Sequence, residues 1–218
     1  MGGEWVVVGA GVQGRQVGAA VAAAARAAGE TLLGFLDDDP GKQGQHVDGW
    51  PVLGPLDWAR THPGPLNVAI GIGQAAPKRR IVARLRAMGG HLRFPPVIHP
   101  FSCVGPGVEL GDGVVVQPGV VLVCDLRVGE FTIIGAGSSI SHDARVGAYN
   151  FLSPGLRVAG FGRIEDDCDT GLNTCILAEV TMGTGSVSGA GAVLIRSVDP
   201  GDTVVGVPAR SVRKVARG

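Results

Sequence analysis

From Val104 onward, every sixth residue is apolar with very few exceptions. The series Val104, Leu110, Val116, Leu122, Val128, Ile134, Ile140, Val146, Leu152, Val158, Ile164, Thr170, Ile176, Met182, Ser188 and Leu194 contains fourteen aliphatic or Met side chains among sixteen, with no insertion breaking the register. A period of six fits neither the 3.6 of a helix nor the 2 of a strand. It marks a hexapeptide solenoid, in which each hexad supplies a short strand and a turn and three hexads close one triangular coil. Sixteen hexads give just over five coils, a prism roughly 25 Å tall at about 4.8 Å per coil.

The same phase explains the glycine content, 37 of 218 residues. Between Val104 and Asp199 there are 17 glycines: eight directly follow the inward aliphatic, seven come three residues after it, and only Gly160 and Gly162 fall elsewhere. Those two phases bracket the turn, where a residue without Cβ tolerates tight or positive-φ geometry. Positions i and i+4 of each hexad point inward, so Cys168 reads as a small core residue. Cys124 and Cys175 sit at i+2 and i+5 without a basic partner and read as structural thiols. No CxxC pair is present, and reduced thiols are expected.

Nineteen Lys and Arg balance nineteen Asp and Glu, which argues against a nucleic-acid or anionic-membrane surface. No apolar run approaches the roughly 20 residues of a membrane span. The opening MGGEWVVVGAG lacks the basic region and cleavage pattern of a secretory signal, so a cytoplasmic location is expected.

Ahead of the solenoid, residues 1–95 alternate strand and helix. Trp5 to Val8 reads as a buried strand, followed by GAGVQG (Gly9 to Gly14) and an Ala-rich helix to Ala28 with Gly29 as its C-cap. Thr31 to Phe35 and Asn67 to Ile70 read as further strands, and Lys78 to Met88 as a helix with its basic residues on one side. Strand–helix alternation with short loops implies a small parallel sheet. The proline-rich RFPPVIHP (Arg93 to Pro100) ends this unit, giving two domains, 1–95 and 96–218. The motif GxGxxG after a strand, with an acid some twenty residues on, is also the NAD fingerprint, but the unit is half the size of a full dinucleotide domain. His46, His62, His91 and His99 lie before the coils and read as loop or surface residues, His99 as a boundary contact. Asp39 is expected to cap a turn before Pro40.

With GAGVQG, FLDDD (Phe35 to Asp39), NVAIGIG (Asn67 to Gly73), VIHP (Val97 to Pro100), SISHDARVG (Ser139 to Gly147) and VVGVPAR (Val204 to Arg210), the chain resembles the sialic-acid O-acetyltransferase-like sugar acyltransferases. This group includes bacterial enzymes that acetylate nucleotide-linked amino sugars from acetyl-CoA. The resemblance implies an α/β half-Rossmann-like domain joined to a left-handed parallel β-helix, and a homotrimer. It implies a nucleotide-sugar pocket lined by Gly11, Val12, Gln13, Asp37, Asp38 and Gly71. It also implies that His142 is the general base, with Asp143 beside it, and that Phe151, Gly160, Leu172 and Ala190 line the acyl-CoA. His142 is the one solenoid histidine, on an outward turn. Zinc chemistry of the related γ-class carbonic anhydrases needs three histidines, so no metal is expected.

The chain departs from the family pattern at several places. Gln13 stands where His is common, Ile72-Gly73 replaces two polar residues, Gly135 replaces an Asn, and Phe151 replaces a second His. The reading is therefore an acyl-CoA-dependent, acetyl-preferring transferase acting on an amine or hydroxyl of a nucleotide-linked sugar. Two alternatives stay open: a catalytically weakened binding or scaffold member, and an acyltransferase for a non-sugar amine.

Overall fold

Strands β1 (Glu4–Val8), β2 (Thr31–Leu36), β3 (His46–Val47), β4 (Trp50–Gly54), β5 (Leu66–Ile70) and β6 (Leu92–Arg93) form one sheet in the order β3-β4-β2-β1-β5-β6. They belong to a computed structural model that describes residues 3–212. The first two residues of the front domain and the last six of the C-terminal tail lie outside the described residues. The β3–β4 pair is antiparallel and the other pairings are parallel. Val6, Val7 and Val8 are buried on both sheet faces, as a short continuous apolar run requires. Helix α1 (Val12–Ala28) ends at Gly29, whose φ of +70° closes the helix in the left-handed conformation,.

Beyond Arg93 the chain winds as a left-handed parallel β-helix with three faces. The first face carries eight strands, from Val97–Ile98 to Arg210–Ser211; the second six, from Cys103–Val104 to Val193–Leu194; the third five, from Glu109–Leu110 to Thr181–Met182. As far as Leu194 each strand pairs with the one eighteen residues later, Val115 with Ile133 and Val121 with Ser139 for example; at the end of the first face Val187 pairs with Thr203, and Val205 pairs antiparallel with Arg210. The inward column from Val116 to Leu194 forms one continuous core with the i+4 residues, Cys168 among them. Thr170 and Ser188, the two polar members of the column, are buried and bonded: Thr170 Oγ1 accepts from Ser153 N–H at 3.0 Å, and Ser188 Oγ lies 3.0 Å from Thr174 Oγ1.

The two glycine phases do different work. Residues three after the inward aliphatic hold φ between +51° and +79° at every hexad from Gly107 to Gly191, and eight of them are not glycine: Asp125, Phe131, Asp143, Tyr149, Phe161, Asp167, Asn173 and Glu179. Glycines directly after the aliphatic instead face the backbone of the next coil. A Cβ on Gly129 would stand 2.6 Å from Ala148 N.

Three expectations change. The coil begins one rung earlier, at Val97–Ile98 pairing with Val115–Val116, so His99 lies within the solenoid and not before it. His62 is not a surface residue: its side chain is 7% exposed, with Nε2 3.1 Å from Glu4 Oε2. The second helix, α2, runs Ala75–Arg86, and its basic residues do not share one exposed side, because Lys78 is wholly buried.

Lys78 fastens the front domain to the coil. Its Nζ donates to the carbonyls of Phe131 (3.0 Å), Asn150 (3.3 Å) and Tyr149 (3.5 Å), all on the corner between the third and first faces. On either side, Arg79 pairs with Asp167 at 2.8 Å and lies over the Tyr149 ring at 3.9 Å, and Arg86 pairs with Glu130 at 2.6 Å. Burial pushes the Lys78 ammonium from 10.5 down to about 7, against the pull of Asp167 and Asp169.

Two predictions follow from this geometry. Gly129→Ala should sharply lower the melting temperature. Asp125→Gly, which relieves a φ of +51°, should add about 0.5–1 kcal/mol; unchanged stability in both variants would contradict the division of roles. For Lys78, the unfolded chain holds a proton between about 7 and 10.5 that the folded chain releases, so its contribution to stability rises with pH across that window. The melting temperature of wild type minus that of Lys78→Met should rise from about pH 6 to about pH 9. A difference that falls would contradict the burial effect.

Candidate active site

At the C-terminal ends of β1, β2 and β5 the chain leaves a cavity of about 430 Å³. Gly11, Val12, Gln13, Asp37, Asp38 and Gly71, the six residues expected around a nucleotide sugar, all line it. What brings them together is close backbone packing. A Cβ on Gly71 would stand 2.5 Å from Gly14 Cα, and one on Gly14 would strike the Gly9 carbonyl. The first turn of α1 can therefore lie against the ends of β1 and β5. Gly11 caps α1 without a side-chain acceptor, and no acid occupies the first turn. Its free N–H groups and the positive end of the helix dipole favour an anion in the cavity.

The two aspartates are tied in place. Partial burial opposes ionisation of Asp37, yet the Ala10 and Asp39 N–H groups (2.8 and 3.0 Å) and the Lys42 ammonium (3.0 Å) hold its carboxyl below the usual carboxylate range. Asp38 accepts from Leu56 N–H at 2.9 Å and from Arg84 at 2.7 Å. Asp39 accepts from Gly41 N–H at 2.9 Å, the expected turn cap. Lys42, Leu56, Gln74, Pro77 and Ile81 also line the cavity. The sequence reading missed them, since they come from loops and helix faces with no motif of their own. Lys42, directly after the Asp-Asp-Asp-Pro-Gly turn, carried the only local signal.

His142 and Asp143 stand elsewhere, on the corner between the second and third faces. His142 is half-exposed, and its Nδ1 lies 3.0 Å from Asp143 Oδ2. A carboxylate can only accept, so Nδ1 carries the hydrogen, and in the neutral ring Nε2 then holds the lone pair. The front domain packs on the first face, where Val97, Val115 and Ile133 share a core with Val7, Val17 and Phe35. In a triangular coil the His142 corner is the vertex opposite that face. The chain's own cavity and its own His142 are thus on opposite sides of the prism.

The four residues expected to line the coenzyme do not form one groove in a single chain. Phe151 lies on the first face against Gly73, whose Cβ position is 3.4 Å from the Phe151 ring. Gly160 lies on the His142 corner, where a Cβ would meet the imidazole at 2.6 Å. Leu172 and Ala190 stack on the corner between the first and second faces, joined by the Gly191 N–H to Leu172 carbonyl bond of 2.7 Å. The eighteen-residue coil holds this information, because Gly160 is one coil beyond His142 and Ala190 one coil beyond Leu172. Gly135 could not carry the family's Asn without movement, since its Cβ would strike Pro154 N. Desolvation and the Asp125 and Asp143 carboxylates push the Cys124 thiol up, the opposite of what a nucleophile needs,. Among the described residues no group of three or more His, Cys, Asp or Glu could hold a metal, and no helix is long and apolar enough to cross a membrane.

The PglD N-terminal domain family matches residues 5–85. Over 96% of both chains, the protein is 30% identical to the GDP-perosamine N-acetyl transferase of Caulobacter crescentus, a histidine-to-alanine mutant solved with CoA and GDP-perosamine, with a TM-score of 0.86. The acetyltransferase domain of PglB from Neisseria gonorrhoeae, in complex with acetyl coenzyme A, is 29% identical over 96% of this chain and 98% of that one, with a TM-score of 0.86. WeeI from Acinetobacter baumannii is 26% identical over 95% and 99%, with a TM-score of 0.79. The chain spans less than half the length of the curated relatives it matches. One is the serine acetyltransferase of Buchnera aphidicola, 28% identical over 124 residues, 56% of this chain and 42% of that protein.

Asp37→Ala strips acceptors from two backbone N–H groups and should cost about 2 kcal/mol in urea denaturation, against under about 1 kcal/mol for Asp39→Ala. Equal losses would mean that Asp37 does not organise the cavity.

Proposed function

Because the chain belongs to the hexapeptide-repeat sugar acyltransferases of the sialic-acid O-acetyltransferase-like family, we propose that it transfers an acyl group, preferentially acetyl, from acyl-CoA to an amine or hydroxyl of a nucleotide-linked sugar. Residues 1–95 bind the nucleotide sugar and residues 96–218 carry out the transfer, in the cytoplasm. The observation that carries this reading is the pairing of two half-sites. One is an anion-favouring cavity lined by all six expected residues; the other is a half-exposed His–Asp pair with Nε2 free.

His142 acts as the general base. Its Nε2 takes the proton from the acceptor as the new bond to the thioester carbon forms and the C–S bond breaks, and the proton passes on to the departing thiolate. The carboxylate of Asp143 favours the imidazolium at that moment. Among the described residues of one chain nothing gives His142 a second wall, and its own cavity faces away. A neighbouring copy supplies both in a homotrimer. The partner's cavity then delivers the sugar, and acyl-CoA lies between two coils, where Phe151 of one chain and Gly160, Leu172 and Ala190 of the chains alongside can meet it. The exposed apolar side chains Val121, Val123, Leu177 and Ile195 on the second face and beside its far corner support such packing. The related Caulobacter and Neisseria structures hold CoA or acetyl-CoA, and the former GDP-perosamine.

A second reading, a weakened binding member, draws on the apolar wall of Ile72, Gly73 and Phe151 where polar groups are usual. Calorimetric titration with acetyl-CoA and a panel of UDP-, GDP- and CMP-sugars separates the two; no acyl-CoA binding ends the enzyme reading. His142→Ala should keep its assembly state and lose about 100-fold or more in turnover. Mixing that variant with a cavity-blocked Gly11→Arg chain, where the space around the added Cβ is open, should restore activity through mixed trimers, and failure of the mixture would place base and substrate on one chain.

A further inference from the structure

The imidazole of His142 rests on two residues of the next coil. Gly160 is one; a Cβ built on it would stand 2.6 Å from both Cε1 and Nε2 of the ring. The other is Phe161, whose ring meets the imidazole edge-on, with centroids 5.3 Å apart and planes at 89°. Its N–H also donates to the His142 carbonyl at 3.1 Å.

Phe161 is an unusual residue for its place. It is 52% exposed and holds a φ of +61°, a conformation in which a bulky side chain is a true outlier. The other non-glycine residues in this conformation on the same corner are Asp125, Asp143 and Glu179, all polar. Glycine would remove both the strain and the exposed apolar surface. The aromatic contact that Phe161 makes is with the histidine, and strain of this kind collects where a side chain must be held.

We propose that Gly160 and Phe161 are positioning residues that form the seat of the His142 ring. Gly160 leaves the space into which the Cε1–Nε2 edge fits, and Phe161 fixes the ring plane. With Asp143 on Nδ1, the lone pair of Nε2 is left with one direction. Gly160 thereby serves the histidine as well as the coenzyme wall. The proposal rests on His142 as base for its catalytic meaning, but the seat itself can be observed without turnover.

The test uses the full chain with isotope-labelled histidine. The His142 ring resonances are identified by their loss in His142→Ala. Phe161→Leu and Gly160→Ala should each admit the second tautomer, read from the ring nitrogen shifts, which a lost ring current moves little. Turnover should fall about tenfold, as expected for a misplaced reacting group, and in Phe161→Leu acyl-CoA affinity should be unchanged. Phe161→Tyr and Phe161→Trp should restore both readouts, because they keep the aromatic edge, whereas Leu keeps only bulk. An unchanged tautomer ratio in both variants overturns the seat, whatever turnover does. A weakened acyl-CoA affinity in Phe161→Leu with an unchanged tautomer ratio assigns Phe161 to the coenzyme wall instead. Full turnover in His142→Ala overturns the base reading alone, and the resonances still decide the seat.

Discussion

The ladder of backbone hydrogen bonds between residues eighteen apart governs the rest of the molecule. For each strand to lie over its predecessor, as Val115 does under Ile133 and Ile133 under Phe151, the chain must turn at every corner by the same route. That route puts the third residue after each inward aliphatic into the left-handed region, whether it is glycine or not. It also brings the residue directly after the aliphatic against the next coil's backbone. Core, corner and surface are consequences of one repeated turn.

Corners differ in what occupies the left-handed position, and the difference follows their use. On the corner between the first and second faces four of the five are glycine: Gly119, Gly137, Gly155 and Gly191 beside Asn173. The corner under the front domain carries Phe131, Tyr149 and Asp167 instead, whose backbones or side chains receive Lys78, Arg79 and Arg86. The His142 corner carries Asp125, Asp143, Phe161 and Glu179. Seven of the coil's eight non-glycine side chains in this conformation thus stand at the two corners that carry the docked domain and the His142–Asp143 pair.

Much of this was legible in the sequence. The six-residue period revealed the coil because the ladder demands the same side-chain class at the same step. The glycine motif located the cavity because phosphate-sized space at a helix start requires bare backbone. What stayed hidden was non-local or contrary to habit. Lys78 reads as a surface charge until three carbonyls from residues 53 to 72 positions away surround it. Phe161, Tyr149 and Glu179 are residue types that avoid positive φ, so only the register reveals their conformation. The rung at Val97–Ile98 was masked by Pro95, Pro96 and Pro100, which signal a boundary although a coil corner accepts proline. The separation of Phe151, Gly160, Leu172 and Ala190 was readable by counting in eighteens, whereas hexad counting gives direction but not corner.

The ladder also makes the coil a graduated ruler. A residue added within a strand would throw every later side chain out of phase, so length can change only by whole turns or by loops pushed out at corners. The height of His142 above the docked domain is therefore a whole number of rungs, each about 4.8 Å. On the proposed function, an acceptor group set farther from its nucleotide cannot be met by a small slide of His142. It must be met by moving the histidine to another turn, or by tilting the docked domain, and Lys78 with its three carbonyls holds that domain to one setting.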